Sequence, residues 1–204
     1  MTLIIPNEII QKAFNEVKRI RDAYNIFVLG PVSTTRSVKS LLDICRTDLQ
    51  ATISLHEHNE THRNHFIKSV YLKESNEKSN ESYTILLMAE LNNCWKRFCI
   101  CKELFHVLLD NPEIRETNLQ EHVDDFFANG ASESRTSSQG SSQSEVVAEF
   151  AAMEFLFPYA ERKKVIDDGN FEFMEIASRY KIPRVYTEIY LSNYLMQILE
   201  SFEY

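Results

Sequence analysis

Apolar positions in the first fifty residues recur at helical steps. Ile10, Ala13, Phe14, Val17 and Ile20 fall three or four residues apart, which predicts a helix from the capping residue Asn7 to about Tyr24. Gly30-Pro31 lies in the break that follows. Val38, Leu41, Leu42 and Cys45 then predict a short helix over Ser37–Arg46. At Ala51 the texture changes. Thr52–Leu55, Phe66–Leu72 and Tyr83–Met88 are β-branched, aromatic and partly alternating, and read as three short strands. The polar run Lys73–Ser82 forms the tip of a hairpin between the last two. A helical period returns over Trp95–Leu109, with Phe98, Cys101, Leu104, Phe105, Leu108 and Leu109 on one face, and Asn111-Pro112 ends it.

Leu119–Phe127 reads as a further short helical piece. Ala128–Ser144 (ANGASESRTSSQGSSQS) has almost nothing to bury and reads as a flexible Ser-rich loop. Glu145–Leu156 is predicted to be an amphipathic helix stopped at Pro158. Asn170–Tyr180 is another helix, Ile182-Pro183 a turn, and Tyr186–Phe202 a closing helix. The expected fold class is α+β: a small twisted, mostly antiparallel sheet packed with helices. Residues 1–50 form an N-terminal helical segment packed on the core, and residues 51–204 form the main domain, with the loop at 128–144 inside it.

Composition narrows the function classes. The chain has 204 residues, enough for one generous domain. Its formal net charge is −8, which argues against bulk attraction to nucleic acid or to an anionic membrane. No apolar run approaches the roughly 20 residues that cross a bilayer. The start, MTLIIPNEII, lacks the basic region and long apolar core of a secretory signal. Cys45, Cys94, Cys99 and Cys101 do not form a disulfide framework, so a reducing cytoplasm is the expected setting.

The candidate chemistry lies in Arg97–Asp110, RFCICKELFHVLLD. Its centre, Lys102-Glu103-Leu104-Phe105-His106, is the H-E-x-x-H zinc-peptidase signature with lysine in place of the first histidine. In that signature two histidines four residues apart share a helix face and hold zinc, and the glutamate activates the metal-bound water. A third ligand must come from elsewhere. The helix Glu145–Pro158, EVVAEFAAMEFLFP, offers one.

With both segments the chain resembles the ImmA/IrrE family of metallopeptidases. That family carries a pattern like R-F-T-x-A-H-E-L-x-H-x-L-L-H, then a helix like E-x-x-A-N-x-x-A-x-x-L-L-M-P. Arg97, Phe98, Glu103, Leu104, His106, Leu108 and Leu109 fit the first pattern. Glu145, Ala148, Ala151, Phe155, Leu156 and Pro158 fit the second. The strand Tyr83–Met88 and the ending IASRYKIPRVYTEIYL also stand where the family places such segments. The resemblance covers about residues 83–158, extends to about 191, and is silent on the first fifty residues. It implies a zincin-like architecture, with His106 as second zinc ligand, Glu145 as third and Glu103 as general base.

The departures decide what to expect. Lys102 occupies the first ligand's position, Asp110 stands where a histidine is common, and Glu149 replaces a frequent Asn. An ammonium has no lone pair and repels a dication. It would instead pair with Glu103 or Glu145 and keep those carboxylates ionised. The expected function is therefore a degenerate, non-catalytic relative that binds a protein or peptide. The resemblance implies a regulator in a repressor, prophage or mobile-element context, with a helix-turn-helix protein as partner, and the lysine at the first ligand's position implies no cofactor. The alternative is an atypical zinc endopeptidase, with water, Cys99 or a remote histidine completing the coordination. A third class, a DNA-associated regulator, conflicts with the acidic charge. The segment Ile176–Leu191 resembles a helix-turn-helix in outline, but its second helix carries Arg184 and little other positive charge.

Two other features bear on metal binding. Cys99 shares the face of Lys102 and His106 but lies about 10 Å along the axis from His106, too far for an easy tetrahedral site. The stretch HEHNETHRNHF holds His56, His58, His62 and His65. It reads as a polar hairpin between strands, with a weak surface metal site as the sharper alternative. The aromatic residues of Tyr180–Tyr204 read as core packing or a partner-facing surface.

Overall fold

The computed structural model describes residues 7–28, 35–59, 68–74, 81–109 and 139–200. Among these residues the elements run α1 (Asn7–Phe27), α2 (Val38–Leu49), β1 (Thr52–His58), β2 (Ser69–Glu74), β3 (Ser82–Met88), α3 (Asn93–Leu108), α4 (Gln139–Leu156), α5 (Tyr159–Asp168), α6 (Phe173–Tyr180), α7 (Arg184–Tyr190) and α8 (Asn193–Glu200). The fold class is α+β. No helix of the described residues is long and apolar enough to cross a membrane. Asp110, His62, His65, the helical piece at 119–127 and the Ser-rich segment up to residue 138 lie outside the described residues.

The sheet corrects the expectation of a mostly antiparallel one. Its order is β1-β3-β2, with β1 parallel to β3 and β2 antiparallel to it. The reason is visible in β3. Tyr83, Ile85, Leu86, Leu87 and Met88 are all buried, so this strand is apolar on both faces and takes the centre. β1 and β2 have more polar faces and flank it. The stretch after Leu55 is therefore not a hairpin joining paired neighbours, since β3 separates β1 from β2. β1 instead continues through His56, Glu57 and His58.

The pleat sends Ile53, Tyr83, Ile85 and Leu87 into the main core beneath the helices. Leu86 and Met88 join Val70 in a smaller cluster on the opposite face. Ser69 and Tyr71 alternate with Val70, and so face the helices.

α3 runs directly under this sheet. Asn92 caps it, its side chain accepting from the Trp95 N–H. Every residue from Cys101 to Val107 is buried. α4 lies beside α3 and is more deeply buried than an amphipathic reading allows. Val147, Ala148 and all of Ala151–Phe157 are buried, so its second half is apolar on nearly all sides and forms the central rod of the molecule. Its start is also earlier than predicted: residues 139–144, assigned to the loop, are its first turns.

α1 and α2 bury Phe14, Val17, Ile20, Leu41 and Cys45 in the same core as α3 and α4. Ser37 caps α2 by accepting from the Ser40 N–H. Two boundaries near the C-terminus differ from expectation. α5 was not foreseen, because its charged run ERKK masks its period. Gly169 ends it in the left-handed region at φ 69°, a conformation that glycine adopts without strain. The expected closing helix is broken at Leu191-Ser192 into α7 and α8, and the Ser192 hydroxyl accepts from the Leu195 N–H.

Candidate functional site

The sheet, α3 and α4 meet at one polar cluster. Helical spacing places Lys102 and His106 one turn apart on α3, with Glu103 beside them. Glu145 reaches them from α4. From the sheet, Ser69 and Tyr71 approach on one face of β2. The four residues singled out in the sequence, Lys102, Glu103, His106 and Glu145, are thus brought together.

The geometry centres on the lysine. Its Nζ donates to Glu145 Oε2 at 2.5 Å and lies 3.1 Å from Glu103 Oε1. Ser69 Oγ donates to the same Glu103 oxygen at 2.6 Å. His106 Nε2 lies 2.9 Å from Glu145 Oε1. On its other side, His106 Nδ1 lies 3.2 Å from the Ser144 hydroxyl, with the donor set by the imidazole tautomer. Tyr71 stacks on the imidazole, centroids 5.7 Å apart. Glu103 is sealed, at 1 % exposure, whereas the Glu145 side chain keeps 41 % of its surface. Among the described residues the cluster is closed at its base, and Glu145 is its exposed member.

The electrostatics follow. Burial alone lowers an ammonium's pKa, but the charges of Glu103 and Glu145 outweigh it and hold Lys102 well above its ordinary value. Burial likewise pushes Glu145 up. The charge of Lys102 first, with the adjacent His106 in support, overcomes this and holds its carboxyl well below the usual range. Both shifts favour the ionised pair, a Lys102 cation against a Glu145 anion.

Glu149, one turn after Glu145, is a member of the neighbourhood that the sequence reading noted only as a departure. Tyr186 Oη donates to its Oε1 at 2.7 Å. Burial raises the Glu149 pKa, and the Tyr186 bond offsets this in part. Tyr186 also stacks on Phe98 at 3.9 Å, tying α7 to α3.

Zinc fits these residues poorly. A zinc site needs three protein ligands with free lone pairs, plus an open position. His106 and Glu145 supply two. The third place holds a protonated amine that repels a dication and already binds the carboxylate a metal would need. Among the described residues, Cys99, His56 and His58 do not repair this; His62 and His65 lie outside them. Cys99 is buried, and burial, opposed in part by Ser69, pushes its thiol up to about 11. His56 and His58 pair in register with Leu86 and Met88. They therefore lie on the sheet face opposite the cluster and cannot reach it.

A second buried ion pair has no counterpart in the sequence reading. Arg162 Nη2 donates to Glu154 Oε2 at 2.6 Å, with both residues at 1 % exposure or less. The Tyr159 N–H donates to both Glu154 oxygens, each at 3.0 Å, and Arg21 lies 3.6 Å away. The Arg162 guanidinium also sits over the Tyr190 ring, 5.3 Å from its centroid. The signal available was Glu154 inside an otherwise apolar helix, AAMEFLF, with an arginine eight residues on.

Neither the family models nor the curated proteins contain a match to this chain.

Proposed function

We propose that this protein is a non-catalytic regulator built on a zincin-like metallopeptidase framework, and that it binds a protein or peptide partner beside the Lys102 cluster. One observation carries the reading. The residue at the position that would have to donate a lone pair to zinc is instead a buried ammonium, 2.5 Å from one carboxylate and 3.1 Å from the other. Hydrolysis through a metal-bound water has no place there, because the cation is covalently tethered and offers no open coordination position. Glu103, at the general-base position, has one oxygen engaged by both Ser69 and Lys102. It supports the cluster rather than activating water.

What remains useful is shape and charge: a polar floor between α3 and α4, open at Glu145. The resemblance to ImmA/IrrE peptidases suggests the partner class, a helix-turn-helix regulator of a prophage or mobile element. The test is to mix the purified chain with such regulators encoded beside its gene, measuring complex formation by size exclusion and regulator length by electrophoresis. Binding without cleavage is expected. Zinc-dependent cleavage would favour the alternative, an atypical zinc endopeptidase. Absence of binding to any of them would remove the assigned partner class.

A further inference from the structure

The poor fit to zinc has a positive counterpart. Glu103 is almost fully buried, and Glu145 faces it across the seam between α3 and α4. Between them stands one charge, the Lys102 ammonium, in a residue only 9 % exposed. Without that charge two carboxylates would share the seam, Glu103 left with Ser69 and Glu145 with His106. Three outcomes are then open to the molecule: a carboxylate takes up a proton, the helices part, or a cation enters from solvent. The exposed Glu145 side chain gives the third a route. A primary alkylammonium is the cation of matching chemistry, since it carries the same three N–H donors on the same apolar stem.

We propose that the α3–α4 seam is a cation socket with Lys102 as its tethered occupant, and that it accepts a free alkylammonium when the tether is cut. The inference rests on the preceding reading for the view that the lysine's charge stands where a metal's would. Its test reads neither partner binding nor peptidase activity, so each can fail alone.

The experiment compares wild type, Lys102→Ala and Lys102→Met by thermal unfolding. Each is measured with n-propylammonium chloride, with sodium chloride at equal ionic strength, and with n-propanol as the uncharged isostere. Removing the charge is expected to lower Tm by about 5–10 °C in both variants. Propylammonium is expected to restore at least half of that loss in Lys102→Ala, saturably, while sodium chloride and propanol restore none. Wild type, whose socket is filled by its own charge, and Lys102→Met, whose socket is filled by an uncharged chain, should not respond. Should Lys102→Ala fail to fold, the same additives are tested during refolding. Recovery with propylammonium and not with propanol is the expected result. Equal effects of amine and alcohol, an equal response in wild type, or unchanged stability of both variants would overturn the proposal.

Discussion

Two ion-paired carboxylates on α4 sit in opposite circumstances. Glu154, near its C-terminal end, is sealed with Arg162 and receives the Tyr159 backbone N–H on both oxygens. Glu145, on its N-terminal half, meets Lys102 and His106 but keeps 41 % of its side-chain surface. Both pairs are short, and distance alone does not separate them. Access does. An ion pair closed on every side fixes α1, α4 and α5 in place and can meet no ligand. One that is open on one side can meet a partner, and that is why the Lys102 cluster, rather than the tighter Arg162 pair, is the functional candidate.

Breaking the sealed pair should have the largest effect. Glu154→Ala strands the Arg162 guanidinium in the core and is expected to cost about 3–5 kcal/mol by urea unfolding. A loss below about 1 kcal/mol would mean that the pair is not sealed in solution. Lys102→Met comes next, at about 1–3 kcal/mol. The stranded Glu103 is buried, but Glu145 is partly solvated and its share is screened. Adding Glu103→Gln should recover part of this loss, because an amide needs no counter-charge. No recovery in the double variant would show that the lysine acts through packing. Glu145→Gln is expected to cost least, about 1 kcal/mol or less.

The same contrast appears in pH. The Glu145 carboxyl is held below its ordinary 4.5, so its stabilisation is complete above that value and is lost as pH falls through the lower folded-state value. Lys102, raised above 10.5, contributes fully below that pH and loses its contribution as pH rises through its folded-state value. Glu149 runs the other way. Its raised pKa makes it a net cost once pH exceeds about the ordinary 4.5. The Glu145→Gln variant should therefore show a shallower acid limb than wild type in a pH series of unfolding midpoints. Superimposable acid limbs would remove Glu145 from the cluster's electrostatics.

Much of this arrangement was legible in the sequence because it is local. Period and capping residues marked α1, α2 and α3, and helical spacing placed Lys102 and His106 on one face. The pairing of Lys102 with Glu103 or Glu145 was expected because the resemblance places Glu145 at the third-ligand position facing α3, and the charges are opposite. What was not legible depends on neighbours. The parallel β1–β3 pairing is set by which strand is buried on both faces, a property of the assembled sheet. The Glu154–Arg162 pair joins residues eight apart across the break at Pro158, outside any single helix period. The division of α7 from α8 turns on one cap at Ser192, within a run whose apolar spacing continues through it. Glu149 looked like a simple departure from a pattern until Tyr186 was placed against it.

If the Lys102 ammonium holds the position where a metal would otherwise be bound, the zinc content of purified wild type and Lys102→His, after equilibration with zinc and desalting, should differ sharply. No stoichiometric zinc is expected in wild type and close to one equivalent in the variant, where a third lone-pair donor joins His106 and Glu145. One tightly held equivalent in wild type would contradict it.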